Sequence, residues 1–414
     1  MRANPRVRIM AVASLLMAMG AGGAFAQAAP EGGSPKGVSI VGVAFAEMEL
    51  GALADRMGAA CSAGDADAYL ACVDLTDPVW ATEQRTWAAD FARQKPGDVG
   101  IAIETASVRL GPAEWDGHTL KAGDAAANVT WSWSMPGRDE MRSVSYVARF
   151  TRSANEPDAW RYAGPLWEHL AGEGVDVMFI SPSRAMAEQV IDVWHEVRTR
   201  VHEDMQLVVP GAQQVKIYPD MGLLQHSIYL SYADPLSGWN EPGESIKLLM
   251  SQGRKADGLK GLLAHEYGHA ANFAMGPQAN ESPWWVLEGI AEVMADPFQG
   301  TVKRSRDRVL KWHDADELAP WSALADFYDF DRKYYGHVYA QGCDMVAFVA
   351  TLRGRDARNA WLRAMAQGKS IDEASVEALG IPWEGVQKAW LANVRSESLR
   401  QRVGDEAPAG QPGT

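Results

Sequence analysis

Cysteine is scarce, with three residues in a chain of 414. Stability must therefore come from an apolar core, and the length allows two domains of ordinary size. Positive charge is also in short supply. Lysine and arginine number 39 against 53 acidic residues, a formal net charge of −14. Nucleic acid requires a basic face and anionic membrane surfaces require basic clusters, so both are disfavoured as partners. Past the N-terminus no apolar run is long enough to cross a bilayer. No long repeat or biased tract interrupts the chain, and no Gly-x-Ser-x-Gly elbow is present, which argues against a serine hydrolase. Large aromatics, by contrast, are plentiful. Sixteen tryptophans are too many to leave in water, and most belong in cores.

The N-terminus has the pattern of a bacterial export signal. Arg2, Arg6 and Arg8 precede an apolar, small-residue run over 9–24, and Ala24-Phe25-Ala26 supplies a small-x-small cleavage site. A retained membrane anchor is the alternative, but the run is short and glycine-rich for a span. No cysteine stands at the cleavage point for a lipid anchor. Removal of residues 1–26 takes away three arginines and no acids, moving the net charge from −14 to −17. The expectation is a periplasmic or secreted protein without a stable membrane anchor. In such a compartment Cys61 and Cys72 could close a small disulfide loop, whereas Cys343 lies in an apolar helical pattern and reads as a buried small hydrophobe.

The fold class expected is α+β. Residues 27–37 read as a linker and 401–414 as a frayed tail. Residues 38–170 form one α+β unit, with helices near 46–62 and 78–93 followed by strands near 101–110, 125–134, 142–151 and 160–167. That order resembles the cone-shaped NTF2-like domains, which implies a pocket open to a small ligand or else a spacer or docking role. Residues 172–400 form a second unit. Strands are expected at 175–180, 214–218 and 227–231, a long amphipathic helix at 183–202, and mostly helix after the segment described next.

That segment is Leu263-Ala264-His265-Glu266-Tyr267-Gly268-His269. Asp257 is a candidate N-cap, and Gly276-Pro277 stops the helix. On a helix His265 and His269 project from one face a turn apart, so both imidazoles can reach one zinc ion. Glu266 stands beside them, placed to take a proton from water. A second helix begins at Ser282-Pro283 and reads Trp284-Trp285-Val286-Leu287-Glu288-Gly289-Ile290-Ala291-Glu292. Glu288 is a carboxylate in an apolar stretch and needs a cation to offset its burial. Two histidines and one glutamate leave a fourth position open, as catalytic zinc sites require.

His265-Glu266-x-x-His269, followed by Glu288 in a Trp-x-x-Glu-Gly-x-Ala-Glu setting, resembles the gluzincin metallopeptidases, in particular the peptidase MA-like and aminopeptidase N-like branch. The resemblance spans about 172–400 and is tightest over 263–292. It implies a thermolysin-like catalytic fold, one zinc ion, a peptide or protein substrate, and Glu266 as general base. Glu292, one turn past Glu288, would orient a zinc-binding histidine, or else is a solvated helix charge. Tyr339-Ala340-Gln341-Gly342 resembles the family's Tyr-Glu-Lys-Gly stretch, which implies Tyr339 as oxyanion donor. Tyr335 and His337 are alternatives nearby. The family's Gly-x-Met-Glu-Asn strand has no counterpart. Leu223-Leu224-Gln225-His226-Ser227-Ile228-Tyr229 takes its place without an acid, which puts exopeptidase specificity in doubt. An edge strand there could instead pair with an extended peptide.

Metal-assisted peptide hydrolysis is thus the function expected. A zincin fold that only binds or scaffolds, and a ligand-binding protein acting through its N-terminal unit, are the rival readings.

Overall fold

The computed structural model describes residues 40–405 apart from 117–118, 139, 153–158 and 251–255. The expected signal and linker fall outside the described residues. No described helix is long and apolar enough to cross a membrane.

The chain opens with α1 (Ile40–Ala63), α2 (Ala66–Leu70) and α3 (Pro78–Gln94). Leu50, Leu53, Met57 and Cys61 recur at helical spacing along α1, and all four are buried. The start of α3 is fixed by Asp77, whose carboxylate accepts from the Val79 and Trp80 amides, with Pro78 in the first turn. Five strands follow: β1 (Gly97–Ile103), β2 (Arg109–Asp116), β3 (Thr119–Ser134), β4 (Met141–Arg152) and β5 (Trp160–Pro165). They form an antiparallel sheet in the order β1-β3-β4-β5, with β2 pairing the first half of β3. Along β3 the residues Ala125, Ala127, Val129, Trp131 and Trp133 alternate onto the buried face. The strand expected at 101–110 is broken by a short 3-10 turn at Thr105–Ser107.

A second five-stranded sheet begins with β6 (Glu168–Gly172) and β7 (Val175–Phe179). It continues after α4 (Arg184–Met205) with β8 (Gln213–Tyr218), α5 (Met221–Ile228), β9 (Gly238–Trp239) and β10 (Ile246–Leu249). Its order is β6-β7-β8-β10-β9. β7, β8 and β10 run parallel, while β6 and β9 are antiparallel edges. The rest is helical: α6 (Ala256–Phe273), α7 (Trp284–Gln299), α8 (Thr301–Asp314), α9 (Tyr335–Arg353), α10 (Arg355–Ala366), α11 (Ile371–Leu379) and α12 (Trp383–Asp405). The last helix runs to Asp405, into the stretch read as a frayed tail.

Two readings of the sequence are corrected here. The strand expected at 227–231 is absent, because residues 221–228 form α5, whose start is capped by the Asp220 carboxylate on the Leu223 amide. Cys61 and Cys72 are free thiols buried in one core, so no disulfide closes the loop between them.

That core does not stop at the first sheet. It takes in Tyr218, Leu223, Leu224, Ile228, Leu230 and Trp239 from the second half of the chain. α5 packs against the buried face of the first sheet. Trp87 donates its indole N–H to the His226 carbonyl and Trp133 to that of Leu230, both at 2.9 Å. The His226 ring lies 5.1–6.0 Å from the rings of Trp87, Trp131, Trp133 and Tyr146. A buried ion network adds a second tie. Glu83 of α3 meets Lys216 of β8 at 2.5 Å and Lys247 of β10 at 3.5 Å, and it accepts from the Ser245 hydroxyl.

Candidate metal centre

α6 is buried on nearly every side, because it passes between α4 and α7. Asp257 lies in its first turn rather than at its cap. α7 starts from Pro283, with no side chain capping it, so Ser282 is not the cap the sequence suggested. Glycines set how closely the helices approach. A Cβ on Gly268 of α6 would lie 3.0 Å from Met294 of α7. One on Gly289 of α7 would lie 2.6 Å from the Gly342 backbone of α9. Gly289 follows Glu288, and Gly342 lies about one turn after Tyr339, so this close crossing carries both side chains to one place.

There His265, His269 and Glu288 converge. The two Nε2 atoms are 3.2 Å apart, and Glu288 Oε2 lies 3.3 Å from that of His265 and 3.6 Å from that of His269. The three form a buried group that could hold a metal ion. A third interaction of this carboxylate is directional: Trp284, one turn earlier, donates its indole N–H to Glu288 Oε1 at 2.9 Å. This leaves Oε2, which has no hydrogen-bond partner among the described residues, turned to the histidines. Glu292 Oε1 lies 3.4 Å from His265 Nδ1, on the other side of the same ring. It can therefore fix that ring's orientation and tautomer.

Glu266 is fully buried, and neither carboxylate oxygen has a hydrogen-bond partner among the described residues. Burial, with the charges of Glu288 and Glu292 added and that of His265 opposing, pushes its carboxyl up to about 8. Burial also acts on Glu288, but the two histidines outweigh it and hold that carboxyl below the ordinary range. The two glutamates differ because one faces the imidazoles and the other does not. Such a split marks candidate functional carboxylates.

Of the three aromatic candidates, Tyr339 and Tyr335 stay together near the site and His337 does not. Tyr339 has its ring 6.5 Å from that of His265, close to parallel, and its hydroxyl is 3.3 Å from that of Tyr335. Burial and the nearby Glu288 charge raise its phenol well above the usual value, so it stays protonated and able to donate. His337 points away, stacked 3.8 Å from Trp312 with Nε2 on the Glu317 carbonyl.

Two contributors carry no local signal in the sequence. Gly238 of β9 lies so close to Glu266 that a Cβ there would overlap the carboxylate. Tyr232, between α5 and β9, packs on Trp239 at 5.3 Å and is within electrostatic reach of Glu288 and Tyr335. The edge strand beside the site is β9, not the 223–229 segment. No protein-family model and no curated protein matches the chain. Its function must be argued from the side chains themselves.

Proposed function

We propose that the protein is an exported zinc-dependent hydrolase, a peptidase, with His265, His269 and Glu288 as metal ligands and Glu266 as general base. The observation that carries this reading is the spacing of three buried donor atoms at 3.2, 3.3 and 3.6 Å. Zinc takes imidazole nitrogen and carboxylate oxygen at about 2.0–2.1 Å, which puts tetrahedral ligand atoms roughly 3.3 Å apart. Hard oxygen-loving cations suit such a nitrogen-rich set poorly. Three protein donors rather than four are the mark of a catalytic site.

A bound zinc ion would supply Lewis acidity to water and to a substrate carbonyl. Glu266 would accept the proton of the attacking water and return it to the leaving amine. The protonated phenol of Tyr339 would donate to the oxyanion as it forms. Glu292 would hold His265 in place, and the Gly238 backbone would hold Glu266.

The architecture is in keeping with a thermolysin-like fold: two buried helices carrying the donors, a small sheet with an antiparallel edge at β9, and a helical C-terminal half. β9 offers a backbone edge next to the site, where an extended peptide could pair. The first unit fits an NTF2-like reading. Its buried sheet face is covered by α5, which favours a docking role over a ligand pocket.

The test is cleavage profiling on a peptide mixture together with metal analysis. Glu266→Gln is expected to keep zinc and lose roughly 10²- to 10⁴-fold in rate. His265→Ala is expected to lose the metal. Full hydrolysis by Glu266→Gln would end the proposed mechanism.

A further inference from the structure

A cleft of about 340 Å³ runs between the two halves of the molecule. One wall comes from Asp90 and Arg93 of α3 and from the β3–β4 turn, and the other from 229–234 and 327–332. The walls are braced. The Arg93 guanidinium lies 5.6 Å over the Tyr328 ring, and Arg332 pairs with Asp234 at 3.1 Å. Two cleft residues, Phe327 and Tyr232, also border the metal centre. Phe327 packs edge-on at 5.0 Å against Trp284, the residue that donates to Glu288.

Tyr232 is the less expected of the two. It is only 7% exposed, and its hydroxyl has no hydrogen-bond partner among the described residues. A buried hydroxyl without a partner is costly to keep. The backbone around it is held firmly, since the Arg142 guanidinium donates to the carbonyls of Leu230 and Tyr232 at 3.2 and 2.5 Å. The ring is fixed against Trp239 of the edge strand. A phenol that lines the cleft, lies within electrostatic reach of Glu288 and lacks a partner is suited to one that arrives with the substrate.

We propose that the Tyr232 hydroxyl hydrogen-bonds the substrate, and that the cleft seats the peptide segment on one side of the bond to be cleaved. This rests on the peptidase reading above. It makes Tyr232 a group that discriminates long substrates from short ones, because only a chain reaching into the cleft meets it.

The experiment compares the full-length wild type with Tyr232→Phe on two peptides that share one cleavage site. One ends close to that site and the other extends three residues to each side. Zinc content and thermal melting are measured alongside. The expected result is a roughly ten- to hundredfold loss in kcat/KM on the long peptide and a much smaller loss on the short one. Zinc is retained, and melting is at or above that of the wild type, since the variant buries no unpaired hydroxyl. Unchanged kinetics on both peptides would overturn the inference. So would an equal loss on both, or a loss accompanied by lower melting, because either marks a structural role. A wild type that cleaves neither peptide defeats the peptidase reading itself, and the inference falls with it.

Discussion

Gly238 and Glu266 meet across the site, twenty-eight residues apart in sequence, at a distance that admits no side chain on the glycine. The edge strand therefore fixes where the buried carboxylate can sit. Gly238→Ala is expected to displace Glu266 while leaving the three metal donors in place. Metal content should stay near that of the wild type, and peptide hydrolysis should fall tenfold or more. Unaltered hydrolysis with a folded, metal-loaded variant would show that the contact does not position the base.

Glu292 Oε1 lies 3.4 Å from His265 Nδ1, the nitrogen that faces away from Glu288, and would act on the site through that ring. Replacing such a hydrogen-bonding carboxylate typically costs about 10- to 100-fold in metal affinity. Glu292→Ala should show a loss of that size in a competition titration with a chelator, with the fold intact by circular dichroism. Equal affinity would return Glu292 to a solvated helix charge.

His226 is buried among aromatic rings and beside Arg142, and burial followed by that charge lowers it to about 3. The folded protein thus keeps it neutral, whereas the unfolded chain protonates it near 6.5. The unfolded state binds more protons in the interval between, so stability falls as pH drops below about 6.5 and this contribution levels off near 3. At pH 5 the effect is roughly 2 kcal/mol. Urea unfolding at pH 5 and pH 7.5 should show a smaller difference for His226→Gln than for the wild type. The same difference in both would exclude His226 as the source.

Glu83 acts with the same sign in a lower pH window. Burial would raise its carboxyl, but the charges of Lys216 and Lys247 outweigh burial and bring it down to about 2. The stability it contributes is present above its ordinary value near 4.5 and is lost as pH falls from there towards 2. Glu83→Ala would leave two buried lysines without their shared partner and should cost about 3–5 kcal/mol at neutral pH. Denaturant midpoints for wild type and variant measure this directly, and a variant within 1 kcal/mol of wild type would mean that water replaces the lost carboxylate.

The histidine pair and Glu288 were legible because helical spacing is local. Four residues make one turn, and a carboxylate inside an apolar helix announces that something must compensate it. His337 drops out because it stacks on Trp312, and Tyr339 reaches the site through the crossing of Gly289 and Gly342, contacts between elements that no local pattern encodes. The α5 segment carries a strand-like signal because a short apolar run suits either state. The cue that decides it is Asp220, a cap three residues before Leu223. Gly238 and Tyr232 were out of reach for a further reason. Their roles depend on a loop that packs into the core of the other half of the chain, and such packing has no period.

The most direct test of the central claim is anomalous X-ray scattering at the zinc edge from crystals of the metal-loaded protein. The account predicts one strong peak bonded to Nε2 of His265, Nε2 of His269 and an oxygen of Glu288. A well-ordered structure with no peak between those atoms, or with zinc bound elsewhere, would contradict it.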